Sequence, residues 1–205
     1  HYSDGCFDVE YAFPWGWDEL EGIASRTDYD LTAHSKASGK KLVYFDPEAT
    51  DPETGKKGWR YVPHVIEPAA GATRGLLAVL CDAYDEEPGD AEGKGARTVL
   101  RLHPRLAPIK VAVLPLVKKD GLPERAREII ARFLEAGVNA KYDEQHAIGR
   151  RYARHDEIGT PYAITVDHQT LEDGTVTVRQ RDDRTQNRIP ITTAVEVVST
   201  ALREA

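Results

Sequence analysis

The pattern of apolar and polar positions changes near residue 107, and the two parts of the chain predict different folds. In the first part, residues 6–13 and 61–67 alternate between apolar and polar side chains, as strands with one buried face do. Residues 74–84 then place apolar side chains at helical spacing. In the second part, residues 109–116 are almost continuously apolar, which is typical of a strand buried on both faces.

The rest of the second part alternates between helix and strand patterns. We predict a helix at 122–136, a strand at 138–142, a helix at 147–158, strands at 162–166, 175–181 and 189–191, and a closing helix at 193–204. A β-α-β-α-β order with a terminal hairpin predicts a mixed sheet with helices packed against it. The chain is therefore predicted to be α/β and α+β, with one domain at residues 1–106 and another at 107–205.

Composition and the chain start narrow the class of protein. The 205 residues suffice for one large core or two small ones, and the formal net charge of −7 disfavours non-specific nucleic-acid binding. Because no apolar run approaches about 20 residues and no signal-peptide pattern opens the chain, we expect a cytoplasmic protein. The first residues lack Met and already alternate like a strand, so we expect the chain to begin inside a domain. Cys6 and Cys81 lack Cys-x-x-Cys spacing and are expected to be reduced and buried.

Glu67 and Arg74 are the first candidates for chemistry. Glu67 ends a predicted strand, Pro68 breaks it, residues 69–71 form a tight turn, and Thr73 is the expected N-cap of the next helix. The carboxylate and the guanidinium would then lie on opposite sides of one turn, beside the positive end of a helix dipole. That arrangement suits Mg²⁺ and a polyphosphate; the alternative is that the two side chains simply pair with each other across the turn.

The segment VIEPAAGATR at 65–74 resembles motif 3 of class II aminoacyl-tRNA synthetases. It is most similar to the glycyl-tRNA synthetases, where Glu-Pro-Ser-x-Gly-x-x-Arg is usual, and Ala69 stands where that family has Ser. The segment GWDELEGIASRTDYDL at 16–31 resembles the part of that family in which a Glu receives the ammonium group of glycine. By position that residue is Glu19. Taken alone, Glu19 and Glu21 could share one face of a strand or lie in the first turn of a helix.

The second part of the chain resembles the anticodon-binding domain shared by glycyl, prolyl, threonyl and histidyl synthetases. The resemblance rests on AIGRRYARHDEIGTPYAITVD at 147–167 and on VTVRQRDDRTQNRIPI at 176–191. Taken together, the resemblances of the first and second parts of the chain cover nearly all 205 residues. They imply part of the class II antiparallel sheet with its motif 3 strand and helix, followed by a mixed-sheet α/β anticodon-binding domain.

The resemblance implies a glycine–tRNA ligase that activates glycine with ATP and Mg²⁺ and transfers it to tRNA(Gly), as a homodimer and without a protein nucleophile. Motifs 1 and 2 are absent from the 205 residues, which are therefore expected to be inactive alone. Implied contacts are Glu19 and Ala69 for glycine; Glu67, Gly71, Arg74 and Arg26 for ATP; and Glu67 for the metal. Arg26 could equally be structural.

Arginine clusters in the second part are the candidates for tRNA contacts, because guanidinium groups stack on unpaired bases and bind phosphates. They are Arg150, Arg151, Arg179, Arg181 and Arg184. Asp156, Asp182 and Asp183 lie among them, so ion pairs within the domain are the alternative. For the protein as a whole, the alternatives are a non-catalytic synthetase-like accessory protein and a free-standing RNA-binding module. The upstream sequence and glycine-dependent ATP–pyrophosphate exchange would distinguish them.

Overall fold

The computed structural model describes residues 3–89 and 95–205, and the chain divides into two compact units between Cys81 and Asp82. The first unit contains β1 (Gly5–Phe13), β2 (Gly16–Thr27), α1 (Tyr29–Ser38), β3 (Tyr44–Thr50), β4 (Lys57–Tyr61), β5 (Val65–Ala70) and most of α2 (Ala72–Ala83). Its main sheet is antiparallel in the order β1-β2-β5, and β3 pairs with β4 as a separate hairpin. In the described residues, no helix is long and apolar enough to cross a membrane.

The second unit is built on a five-stranded mixed sheet. Its elements are β6 (Tyr84–Glu87), β7 (Arg97–Leu100), β8 (Val111–Pro115), α3 (Leu122–Glu135), β9 (Ala140–Tyr142), α4 (Ile148–Glu157), β10 (Tyr162–Val166), α5 (His168–Asp173), β11 (Thr175–Gln180), β12 (Gln186–Pro190) and α6 (Ile191–Glu204). The strand order is β12-β11-β10-β8-β9, with β9, β8 and β10 parallel and β11 and β12 antiparallel.

The core of the second unit lies on both faces of this sheet. On one face, β8, β10 and β11 pack against α3 and α6 through residues that include the fully buried Phe133 and Val198. On the other face, Ala112 and Leu114 pack against Ile148 and Tyr152 of α4. Burial on both faces explains why β8 has a continuous apolar run, and the predicted mixed sheet with helices on its faces is confirmed.

Several predicted elements differ from those in the structure. The predicted strand at 61–67 is divided between β4 and β5, with Pro63 in the gap. The predicted turn at 69–71 is wrong, because β5 continues through Pro68 to Ala70. Pro68 is tolerated because β5 is an edge strand of the described sheet and pairs only with β2. The missing N–H of Pro68 therefore breaks no hydrogen bond to a second neighbouring strand. Since α2 begins at Ala72, Thr73 lies inside its first turn and not at the N-cap.

The segment around residue 90 was the least predictable from sequence. Residues 86–95 are predicted as an exposed connection, but Glu86 and Glu87 belong to β6, which pairs with β7. The rest of that prediction falls partly on residues 90–94, which lie outside the described residues. The domain boundary predicted near residue 107 does not coincide with the division into compact units between Cys81 and Asp82. It stays a prediction.

Candidate functional site

One face of the β1-β2-β5 sheet forms a pocket of about 410 Å³. Its lining residues are Ser3, Cys6, Gly22, Ala24, Arg26, Glu67 and Ala69. Strand pairing explains the grouping: Ala24 lies opposite both Cys6 and Glu67, and Gly22 lies opposite Ala69. Directly opposite residues in antiparallel strands direct their side chains to the same face. The smallest side chains of the sheet thus form the floor, beside the carboxylate of Glu67.

A β-bulge brings Glu19 to this same face. Val9 pairs with Glu21 and Glu10 pairs with Glu19, so Leu20 is an extra residue in β2. In a regular strand that kept Leu20 in the ladder, strict alternation would place Glu19 on the face of Glu21. With it, the Glu19 carboxylate lies over Gly22, because a methyl group at Gly22 would lie 3.4 Å from Glu19 Oε1.

Arg74 is attached to the same part of β2. Its Nη1 donates a hydrogen bond to the backbone carbonyl of Glu19 and lies 3.5 Å from Asp18 Oδ1. Asp18 also accepts from Trp15 Nε1 at 3.3 Å and from the Glu19 N–H at 2.9 Å. These two hydrogen bonds, and then the charge of Arg74, lower the pKa of Asp18. A charged Asp18 therefore holds the guanidinium beside the residue expected to bind glycine.

Glu67 pairs with Arg26 and not with Arg74. Arg26 Nη1 lies 3.4 Å from Glu67 Oε2, and the Arg26 guanidinium also makes a bidentate contact to Asp30 with both distances at 2.7 Å. That contact lowers the pKa of Asp30. The structure records no ion pair between Glu67 and Arg74, so the predicted alternative of pairing across the turn is wrong. Arg26 has a structural role here and also lines the pocket.

Two pocket-side residues were not identified from the sequence. Asp8 lies opposite Gly22, and a Gly22 methyl group would lie 3.7 Å from its Oδ1. Cys6, expected to be buried, is exposed and donates to Asp8 Oδ1 at 3.6 Å. Partial desolvation raises the pKa of the Cys6 thiol, and the carboxylates of Asp8 and Glu19 add to the effect. The alternating pattern of β1 already indicates that Cys6 and Asp8 share one face of the strand. Only the pairing of β1 with β2 shows that this face is the one with the pocket.

The residues fit a magnesium ion only if the substrate supplies most of its ligands. Within the described residues, no group of three or more His, Cys, Asp or Glu side chains is arranged to hold a metal. Among the residues that line the pocket, only Glu67 carries a carboxylate, and its side chain is 49% exposed. Mg²⁺ in nucleotide sites commonly takes one or two carboxylates together with phosphate oxygens, which is compatible with Glu67.

Three of the five arginines predicted to contact tRNA are buried in the second unit. Arg151 is 3% exposed and donates to the backbone carbonyls of Pro115 at 2.6 Å, Leu116 at 3.2 Å and Asp143 at 3.3 Å. Burial lowers the pKa of its guanidinium. Its donors satisfy carbonyls at the end of β8, so it stabilises the fold.

Arg179 and Arg181 are bound by carboxylates in the way the alternative proposed. Arg179 makes a bidentate contact to Asp156 at 2.8 and 2.9 Å, with its guanidinium over the ring of Tyr152. Arg181 contacts Asp182 at 2.8 and 2.9 Å and donates to the Gly159 carbonyl at 2.9 Å. The two arginines are 6% and 3% exposed, so their guanidinium groups are committed within the domain.

Arg150 and Arg184 are exposed. Arg150 lies in the first turn of α4. The side chain of Arg184 is 43% exposed and pairs with Glu87. These two remain available at the surface, and their contact with tRNA stays a prediction.

Comparisons with known proteins identify both parts of the chain. Residues 110–201 match the anticodon binding domain family. A glycine–tRNA ligase from Clostridium tetani is 52% identical over 198 residues, which is 97% of this chain and 40% of that protein. One from Treponema denticola is 48% identical over 205 residues, 99% of this chain and 44% of that protein. The chain thus spans about two-fifths of the length of these relatives.

A solved structure shows the same fold. The crystal structure of prolyl-tRNA synthetase from Cryptosporidium parvum, complexed with L-proline and AMP, has a TM-score of 0.66 at 20% identity. The match covers 100% of this chain and 38% of that chain. At this identity the likeness supports the class II synthetase fold alone. Nearly the whole chain therefore corresponds to a part of glycine–tRNA ligases, and residues 110–201 form an anticodon binding domain.

Proposed function

We propose that the natural protein carrying this chain is a glycine–tRNA ligase, which activates glycine with ATP and transfers it to tRNA(Gly). The observation that carries the proposal is that Glu19 and Glu67 lie on the same face of the β1-β2-β5 sheet and that Arg74 binds the backbone of Glu19. The bulge at Leu20 brings Glu19 to the face of Glu67, and Arg74 binds the Glu19 backbone.

The pocket suits the ammonium group and small size of glycine. Glu19 supplies a carboxylate for the ammonium group, and Asp8 on the same face adds negative charge. Gly22 and Ala69 leave room for the substrate but offer no polar side chain. Ala69 lacks the hydroxyl expected from the family at its position, which removes one hydrogen bond worth about 0.5–1.5 kcal/mol net.

ATP would be held by the cations beside this pocket. Arg74 and Arg26 supply guanidinium groups for phosphate or base contacts, and Gly71 directly precedes the positive N-terminal end of α2. A magnesium ion held by Glu67 and the phosphates would neutralise charge on the phosphate oxygens. The chain's own residues orient the glycine carboxylate toward the α-phosphate, so positioning and electrostatics supply the catalysis without a protein nucleophile.

Arg150 and Arg184 are the proposed tRNA contacts in the second unit, since both are exposed. Arg151, Arg179 and Arg181 are not carried forward, because they are buried and their guanidinium groups already bind carbonyls and carboxylates. A homodimer is proposed on the family resemblance alone.

Glycine-dependent ATP–pyrophosphate exchange by the natural protein tests the proposal. We expect Glu19→Gln to raise the KM for glycine by roughly 10- to 100-fold, because a hydrogen bond to a charged group is lost. Glu21→Gln is the matched control, since Glu21 lies two residues away on the opposite face of β2. Equal effects of the two substitutions would contradict the site. Absence of glycine-dependent exchange in the wild type would favour the second candidate, a non-catalytic synthetase-like protein, for which Ala69 is the supporting observation.

A further inference from the structure

A second cavity, of about 400 Å³, lies in the second unit on the α3 and α6 side of the mixed sheet. It is bounded by the segment before β8, the end of α3 and the last turns of α6. Its lining includes Arg105, Lys110, Gly137, Ser199, Leu202 and Arg203. Three cations therefore surround one cavity, and none of its lining residues in the described chain is Asp or Glu.

Most donors of these cations have no partner in the protein. Lys110 Nζ donates to the carbonyls of Pro104 at 2.6 Å and Arg105 at 2.9 Å, which leaves one of its three N–H groups. Arg203 has one side-chain contact, to Thr200 Oγ1 at 3.3 Å. The structure records no side-chain hydrogen bond or ion pair for the exposed Arg105 guanidinium in residues 3–89 and 95–205.

This arrangement differs from that of most other arginines in the unit. Arg97, Arg101, Arg179, Arg181, Arg184 and Arg188 each contact at least one carboxylate. The chain carries a net charge of −7, yet the three cations at this cavity have no carboxylate among its lining residues in the described chain. An anion from outside the protein would supply the missing counter-charge.

The negative ends of the helix dipoles balance only part of the positive charge at the cavity. The cavity lies at the C-terminal ends of α3 and α6, and each end carries about half a negative elementary charge. At α3, the N–H groups of Ala136, Gly137 and Val138 already donate to the last-turn carbonyls. Two half-charges leave about two of the three positive charges unbalanced, so the cavity remains attractive to an anion.

Ser199 adds a neutral donor. It is 7% exposed, lines the cavity, and its Oγ has no hydrogen-bond partner among the described residues. Buried hydroxyl groups are normally hydrogen-bonded, so an unpartnered one beside a cavity indicates a missing ligand. Rotation about a single bond is enough to direct the hydroxyl to a bound oxygen.

We propose that this cavity binds one phosphate group through Arg105, Lys110, Arg203 and Ser199. Both free phosphate and a phosphodiester of an RNA backbone offer that group. The RNA source rests on the proposed tRNA function, whereas the free-phosphate source does not. In neither case does the site involve the pocket of Glu19 and Glu67.

The test uses the natural protein with the double substitution Arg105→Ala, Arg203→Ala. Both side chains are exposed and make few contacts within the protein, so the fold is expected to be retained. Lys118→Ala, Lys119→Ala is the matched control, because it removes the same charge from exposed residues that follow β8, at the opposite end of that strand from Lys110.

The first measurement is the melting temperature with inorganic phosphate replacing chloride at constant ionic strength. A ligand that binds only the folded state raises the melting temperature. If free phosphate is the ligand, the wild type and the control are stabilised and the double variant is not. Ser199→Ala should weaken the phosphate effect without lowering the melting temperature in chloride, since it deletes an unpaired polar group.

The second measurement is tRNA(Gly) affinity as a function of salt. If RNA supplies the phosphate, the double variant binds about tenfold more weakly and its log–log salt slope is smaller by about 0.7 to 0.9, as expected for one phosphate contact. The control keeps the wild-type slope. The proposal is overturned if the double variant matches the control in both measurements. A wild type that binds no tRNA but responds to phosphate would reject the proposed function and keep this site.

Discussion

Glu87 is the carboxylate on which three arginines of the second unit converge, and its substitution tests how β6 is held. Arg97 donates to both of its oxygens, at 2.6 and 2.8 Å. Arg101 and Arg184 each add a further contact. Arg97 also contacts Asp156 at 2.8 Å, so the network continues to α4. We expect Glu87→Gln to destabilise the second unit.

The size of the effect follows from the pKa of Glu87. Hydrogen bonds from Arg97, and then from Arg184, lower that pKa from 4.5 to about 2 against the opposing effect of burial. A depression of that size corresponds to about 3 kcal/mol of stability. The side chain is 23% exposed and solvent screens part of the attraction, so we expect a loss of about 1–2 kcal/mol at pH 7.

The pH dependence has a definite sign. Because the folded-state pKa is lowered, the stabilisation is fully present above pH 4.5 and is lost as the pH falls from 4.5 towards 2. The gap in stability between the wild type and Glu87→Gln should therefore narrow at pH 3.5. Asp156 remains with Arg97 in the variant, so the network is weakened and not abolished.

Tryptophan fluorescence is unsuited to this measurement, because Trp15, Trp17 and Trp59 all lie in the first unit. Hydrogen exchange of β8 and β10 amides, followed by mass spectrometry over a urea series, reports on the second unit directly. Glu196→Gln on the exposed side of α6 is the control and should change nothing. An unchanged stability for Glu87→Gln at pH 7, or a gap that does not narrow at pH 3.5, would refute the assignment.

Two further substitutions test packing in the same unit. Arg151→Met should lower the free energy of unfolding by about 2–4 kcal/mol, because it leaves buried carbonyls without donors, whereas the exposed neighbour Arg150→Met should be nearly neutral. Equal effects in the same urea series would contradict the burial of Arg151. Gly159→Ala should cost about 2–3 kcal/mol, because φ is 78° and the new methyl group would lie 2.8 Å from Leu102 Cδ1. Gly137 also has a positive φ, of 75°, but a methyl group there would meet no atom within 4 Å, so Gly137→Ala should lower the free energy of unfolding by only about 1 kcal/mol. A loss for Gly159→Ala no larger than this would show that Leu102 moves aside freely.

Local patterns predicted the second unit well because its elements are set by periodicity. The apolar run and the amphipathic spacing placed β8 and α3 within two residues of their ends, and β10 at 162–166 coincides with its prediction. Strand β6, which pairs with β7, was not predicted. The charged stretch that contains β6 has no strand pattern of its own, and its stability comes from arginines distant in sequence.

The candidate site was predictable as a set of residues but not as a geometry. Glu67 and Arg74 were found from their spacing, yet their partners are Arg26 and Asp18, which no local rule connects to them. The arginine clusters were visible in the sequence. Which of them face inward depends on Asp156 and on backbone carbonyls that only the fold brings close.

The extra residue at Leu20 makes the direction of the Glu19 side chain depend on the bulge and not on the alternation of β2 alone. If Leu20 instead paired with Glu10 in a regular ladder, the Glu19 carboxylate would turn away from Ala24 and Glu67 with no change in the length of the segment. Deleting Leu20 would leave Glu19 two positions before Gly22, so regular pleating would keep its carboxylate on the pocket face. Among relatives of this chain, a one-position gap between Glu19 and Gly22 should therefore be compatible with glycine activation, whereas a change that abolishes the bulge at full length should accompany its loss.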